Sequence, residues 1–287
     1  MLCWMNGEYK EAAELTISPF DHGFLYGVGF FETFRTYKGQ VFLFKEHMDR
    51  LRTALDEFHI SMPYEDQVIL DVVQRLDEES GDRDGYFRLN VSAGVHEIGL
   101  APSSYESPNV ILFRKELAPA ARGTEKQGIW LETPRNQPES GIRHKSHNFL
   151  NNVRGRLELH SLKDLEGLFL TAYGYVAEGV TSNVFWMKDG QLYTPAIETG
   201  ILPGTTRAFL LRLAEAAGLP VNEGLYTKEA VEVADEVFVS NAVQELVPLS
   251  SIGEFPLPGA SGVYYQRLHT DYVQAIDEMK ESGLEWS

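Results

Sequence analysis

A polar, aperiodic stretch, ELAPAARGTEKQG from Glu116 to Gly128, interrupts a chain that is otherwise patterned from end to end. With Pro119, Gly123 and no recurring apolar spacing, it suits neither a buried helix nor a strand, and it breaks the sequence near Ala118 to Lys126. The break predicts a smaller lobe over 1–118, a linker over 119–126 and a larger lobe over 127–287. Strand and helix signals are mixed in both, which makes the fold class α/β (α+β).

In the first lobe, Asn6-Gly7 between two short strand candidates reads as a hairpin turn. SPFDHGFLYGVGFFETFRTYKG follows, from Ser18 to Gly39; its glycines suit close backbone approach, and FFETFRTY alternates like a strand. Two amphipathic helices come next. One places Met48, Leu51, Leu55 and Phe58 on a face with Arg50 at its edge; the other, from Tyr64 to Glu79, carries Val68, Val72 and Leu76. DGYFRLNVSAG then alternates, setting Phe87, Leu89 and Val91 against Arg88, Asn90 and Ser92, and Val110 to Phe113 reads as a buried strand beyond a loop over 96–108.

The second lobe holds buried-strand signals at Leu168 to Thr171 and Val237 to Val239, and a hairpin turning at Asp189-Gly190. One helix has Phe209, Leu210, Leu213 and Ala217 on a face; a last one has Tyr265, Leu268, Tyr272, Ile276 and Met279. A further helix starts near Leu150, with Leu150, Val153 and Leu157 as its expected apolar face.

Charge narrows the partners. The net charge of −17 repels a phosphate backbone and an anionic membrane surface, so neither nucleic acid nor membrane is expected. The one cysteine, Cys3, excludes an internal disulfide and a cysteine-rich metal site, and no metal is expected. No apolar run approaches the ~18 residues of a membrane span, and the first residues include acids where a secretory signal needs an apolar core, so a cytoplasmic protein is expected.

Three stretches carry chemistry. RHKSHNFLNNVRGRLEL places Lys145 just ahead of a helix, among Arg143, His144 and His147, and neighbouring cations are one way to turn a lysine into a nucleophile. VAEGVTSNVFW sets Glu178 at a strand entry. TGILPGTTRAFLLRLAEAAG puts Pro203-Gly204 before a helix whose first N–H groups, at Thr205 and Thr206, form an anion site.

Together, in this order and spacing, the three resemble the fold-type IV enzymes that use pyridoxal 5′-phosphate (PLP). That group contains branched-chain and D-amino-acid aminotransferases and 4-amino-4-deoxychorismate lyases; SPFDHGFLYG, FETFR, NVSAG and KSHNFLNN look most like the lyases of Bacillus-type bacteria. The resemblance implies a two-lobed fold with a barrel-like sheet in the larger lobe, PLP as cofactor, a homodimer, and a small anionic amine as substrate.

It also implies roles. Lys145 would carry the cofactor, and Glu178, in the pattern E-G-x-x-S-N-x-F, would keep the pyridine nitrogen protonated. Arg50, in the H-x-x-R-L pattern from His47 to Leu51, would contact the phosphate with Thr205 and Thr206, while Ser240, Asn241 and Ala242 add contacts at a strand end. Leu202 would pack against the ring. Arg35 and Arg88, with Thr33 nearby, are the candidates for the substrate's carboxylates, since guanidinium forks match them.

Two departures from the family stand out. The D-amino-acid enzymes carry a basic cluster where this chain reads GVHEIGLAPSS, with His96 alone, which disfavours that reading; Phe149 stands where branched-chain enzymes usually, and many of the lyases too, have a tyrosine, so it does not decide between those two.

Overall fold

Both hairpin turns form with the left-handed backbone that Asn-Gly and Asp-Gly favour: Asn6 and Gly7 have φ of 51° and 94°, Asp189 and Gly190 of 49° and 74°. The computed structural model describes residues 1–81, 84–100, 103–161 and 163–282. Ala101 and Pro102, in the expected loop over 96–108, lie outside them. The chain forms two compact units. Unit 1 comprises Met1–Pro119, His144–Asn148 and the chain end from Glu278; unit 2 comprises Ala120–Arg143 and Phe149–Asp277. Among the described residues no helix is long and apolar enough to cross a membrane.

Unit 1 is built on a six-stranded antiparallel sheet. In chain order its strands are β1 (Leu2–Met5), β2 (Glu8–Glu11), β3 (Gly29–Tyr37), β4 (Gln40–Val41), β5 (Gly85–Ser92) and β6 (Asn109–Glu116), arranged β2-β1-β6-β5-β3-β4. A short helix α1 (His22–Tyr26) precedes β3, and α2 (Phe44–Glu57) and α3 (Asp66–Glu78) follow it. Met48, Leu51 and Leu55 of α2 and Ile69, Val72, Val73 and Leu76 of α3 share a core with Phe34, Phe87, Leu89, Val91 and Leu112. Val68, expected on the inner face of α3, is exposed; Ile69 and Val73 take the inward positions instead. Because strand side chains alternate, Tyr86, Arg88 and Asn90 fall on the opposite face of β5, where they are only half-buried.

Unit 2 contains β7 (Lys126–Trp130), α4 (Leu150–Leu157), β8 (Leu165–Leu170), β9 (Val176–Gly179), β10 (Asn183–Lys188), β11 (Gln191–Pro195), α5 (Thr205–Ala216), β12 (Val221–Gly224), α6 (Lys228–Glu232), β13 (Glu236–Asn241), β14 (Glu245–Ile252), β15 (Phe255–Pro256) and α7 (Val263–Ser282). Its mixed sheet runs β12-β11-β10-β13-β14-β7-β8-β9, with β15 on β14. The sheet curls, bringing β9 beside β10, and Trp186, Val184, Val237, Val239 and Leu249 fill its interior with Leu168 and Val176.

Two expectations are corrected here. The apolar stripe of α4 is not its inner face: Leu150 and Leu157 are 80% and 74% exposed, and Asn152 and Gly155 turn inward. The reason is local. Asn152 Nδ2 donates to Val180 O at 2.6 Å, and a Cβ on Gly155 would run into the Phe169 ring and come within 2.9 Å of Leu131 Cδ1. Gly155→Val should therefore cost about 1–3 kcal/mol through overpacking, more than the ~1 kcal/mol a helix recovers on losing a glycine. An unchanged denaturant midpoint in that variant would show that the helix sits differently.

The second correction concerns the lysine segment. His144–Asn148, placed with the larger lobe by its position in the sequence, belongs to unit 1. Phe31 N donates to Lys145 O and His147 N to Gly29 O, both at 2.9 Å, and Ser146 bridges Phe30. Those bonds make the segment a short extra partner of β3.

Candidate active site

Lys145 is set against β3 through its main chain, which leaves the side chain to the sheet face that carries Phe31. Its Nζ lies 4.7 Å from the centre of the Phe31 ring, and the Arg88 guanidinium carbon lies 3.6 Å from the same centre. His147 stacks on that ring at 6.5 Å. Burial, then the Arg88 charge, pulls the His147 imidazole down to about 4. Arg88 itself is lowered by burial. The other expected neighbours of Lys145 are engaged elsewhere: His144 Nε2 meets Glu57 at 2.7 Å, and Arg143 directs Nε to Gly200 O and NH2 to Asn136 O.

Behind β3 lies a buried network that the sequence alone does not announce. Glu32 accepts from Arg50 Nε at 2.8 Å and NH2 at 2.6 Å, and from His47 Nδ1 at 2.7 Å. Burial would raise the Glu32 carboxyl, yet the Arg50 charge and the bonds from both partners hold it at about 2. His47 is lowered, chiefly by burial, with Arg50 and Lys145 among the contributing charges. The Nε and NH2 edge of Arg50 thus pairs bidentately with Glu32 on β3.

In unit 2, Glu178 is 4% exposed at the end of β9. Its Oε1 accepts from Arg135 Nε at 2.8 Å, with Arg143 Nε at 3.8 Å; Oε2 accepts from Leu202 N at 2.9 Å and, more weakly, from Asn183 Nδ2 at 3.4 Å. A carboxylate has about four acceptor positions. The long Asn183 bond leaves Oε2 able to take a further short donor. Arg135 in turn donates NH1 to Asn151 Oδ1 and Asn152 Oδ1 at 2.7 and 3.1 Å. No spacing in the sequence points from Arg135, in a loop, to Glu178, 43 residues on, or from Arg135 to Asn151 and Asn152 on α4.

Leu202 contributes its main chain here: its N donates to Glu178 Oε2 and its O accepts from Asn183 Nδ2 at 3.0 Å. The following helix, α5, starts at Thr205 with Gly204 as N-cap and no side-chain cap. Thr206 Oγ1 and, at the end of β13, Ser240 Oγ are buried and have no hydrogen-bond partner among the described residues. Two orphaned hydroxyls and an uncapped helix start are what an anion with several acceptor oxygens requires. Asn241 differs: its Oδ1 accepts from Val243 N and Gln244 N, so its side chain shapes the turn that includes Ala242.

Arg35 is 2% exposed, pairs with Asp84 at 3.4 Å and lies over Tyr37 at 4.6 Å. Thr33 stands opposite Arg88 in the β3–β5 register. His96 packs among His22 and Tyr105, at 5.2 and 4.9 Å.

These features can be set beside known proteins. The chain is 39% identical to the aminodeoxychorismate lyase of Bacillus subtilis (strain 168), over 99% of both chains. It is 33% identical to a putative branched-chain-amino-acid aminotransferase of Methanocaldococcus jannaschii, over 88% of each. Among solved structures, the T.th. branched-chain amino acid aminotransferase complexed with N-(5′-phosphopyridoxyl)-L-glutamate superposes with a TM-score of 0.86 at 26% identity, covering 96% of this chain and 94% of that one. The two-lobed α/β architecture is that of the fold-type IV enzymes. Residues 29–252, from β3 and its lysine partner through Glu178 and α5 to the end of β14, match the model of the amino-transferase class IV family, and the chain belongs to that family.

Proposed function

We propose that this chain is a PLP-dependent lyase that converts 4-amino-4-deoxychorismate to 4-aminobenzoate and pyruvate. One observation carries the choice of reaction: the 39% identity to a lyase of that name runs over 99% of both chains. The competing reading, transamination of branched-chain or D-amino acids, is favoured by the relatives that bear aminotransferase names.

The residues fit the cofactor. Thr206 Oγ1, Ser240 Oγ and the N–H groups of Thr205 and Thr206 are assigned to its phosphate, with Arg50 adding charge rather than a bidentate fork. Glu178 offers Oε2 to the pyridine nitrogen, held in orientation by Arg135 and Leu202 N. When bound, PLP supplies an electron sink for the carbon that bears the substrate amine.

Lys145 has two tasks in this reading. Its amine would hold the cofactor, and when free it would act as general base on the proton of the amine-bearing carbon. The adjacent carbon–oxygen bond breaks, the ring becomes aromatic, and the proton on Lys145 passes to the departing enolpyruvyl group to give pyruvate. Atoms balance without an amino acceptor. That separates the two readings: purified protein with PLP and aminodeoxychorismate, but no keto acid, should release 4-aminobenzoate and pyruvate in equal amounts. Turnover that requires a keto acid would favour the aminotransferase reading instead.

The same reading makes the protein a homodimer. Leu150 and Leu157 on α4, and Ile98 and Leu100 in unit 1, are large apolar side chains left in water by a single chain. Sedimentation at the 32.3 kDa of one chain would contradict it.

A further inference from the structure

The face of β5 that turns away from the unit 1 core has a second ligand-binding group beside Arg88. Asn90 stands directly opposite Phe31 on β3. Opposed residues of an antiparallel pair share a face, so Asn90, Phe31 and, diagonally, Arg88 form one patch. Lys145 Nζ and the Arg88 guanidinium both lie on the Phe31 ring, at 4.7 and 3.6 Å from its centre. The nucleophilic amine and the cation therefore share one aromatic platform.

The orientation of the Asn90 amide follows from its partners. A guanidinium only donates, and Arg88 NH2 lies 3.3 Å from Asn90 Oδ1, so the oxygen faces Arg88. His147 Nε2 lies 3.0 Å from the same oxygen and must also donate to it. The His147 ring is neutral near pH 7, as burial and Arg88 require, and its proton is then on Nε2. With both donors on Oδ1, the amide nitrogen of Asn90 has no protein partner among the described residues.

We infer that Asn90 binds a carboxylate of the substrate together with Arg88, and that His147 is the positioning residue that keeps its amide nitrogen turned to the ligand. A neutral N–H donor beside a guanidinium suits an anionic oxygen; the reversed amide would set its own oxygen against the carboxylate. The identity of the acid rests on the lyase reading. Aminodeoxychorismate has two carboxylates, one on the ring and one on the enolpyruvyl group, and either presents the same chemistry.

The test titrates the holoenzyme with 4-aminobenzoate, which has the ring carboxylate, with pyruvate, which has the other, and with aniline, which has neither. Asn90→Asp keeps an acceptor for Arg88 and His147 but places an oxygen where the nitrogen was. Losing one charge-assisted bond, the variant should bind one of the two acids at least about tenfold more weakly, with aniline affinity and PLP retention unchanged. The acid that responds identifies the carboxylate. In parallel, His147→Leu should raise KM far more than it lowers kcat, and His147→Gln, whose amide can still donate to Asn90, should recover most of the difference. Weakened aniline binding to the same degree, or unchanged binding of both acids, would overturn the inference. If wild-type protein leaves aminodeoxychorismate untouched, the lyase reading fails, and the acid titrations still judge Asn90.

Discussion

Lys145→Ala is expected to lower turnover by more than about 10⁴-fold, since under the proposed function it removes both the covalent attachment and the general base, each a large contribution by itself. The fold should survive. Its carbonyl accepts from Phe31 N at 2.9 Å, and alanine keeps that bond. Wild-type protein treated with borohydride in the presence of PLP should carry the cofactor on the peptide containing Lys145, and the alanine variant should not. Label on another lysine would remove Lys145 from its assigned role.

Arg135→Met is expected to cost about 3–5 kcal/mol of stability, the penalty for leaving a buried carboxylate without its main partner. Glu178 and Arg135 are both almost wholly buried, and the same guanidinium also ties down Asn151 and Asn152, so its loss disturbs α4 as well as β9. Arg135→Lys should fall between the two, since an ammonium keeps the charge but cannot reproduce the fork. Urea unfolding checks this, and a loss below about 1 kcal/mol would mean that Arg143, at 3.8 Å, already balances Glu178.

Much of the scaffold was legible because its causes are local. A period of two identified β5 and the face that Phe87, Leu89 and Val91 bury, and Asn-Gly and Asp-Gly marked both hairpins. What escaped depends on contacts distant in sequence. Nothing near Arg35 announces Asp84, 49 positions on, and nothing in PRNQP announces Glu178. The apolar stripe of α4 misled for a different reason: hydrophobic spacing identifies the inner face only when burial is decided by apolar area, and here a buried amide bond and a close approach to Phe169 decided it. At the candidate site the sequence pointed to Lys145, Glu178, Arg50 and Arg88 and set His147 near the lysine, but it did not point to the Glu32 that holds Arg50 or to the bond between His147 and Asn90.

The pairing of His144–Asn148 with β3 has an evolutionary consequence. The lysine segment takes its position from main-chain bonds to Phe31 and Gly29 of β3, where Gly29 must stay without a side chain because a Cβ there would run into the His147 ring. Under the proposed function, mutation can rewrite the other exposed-face positions of β3 and β5 while Lys145 stays where it is. A scaffold wired in this way would separate the part that performs the proton transfer from the part that chooses its reactant, and relatives of this chain bear the names of lyases and of aminotransferases alike.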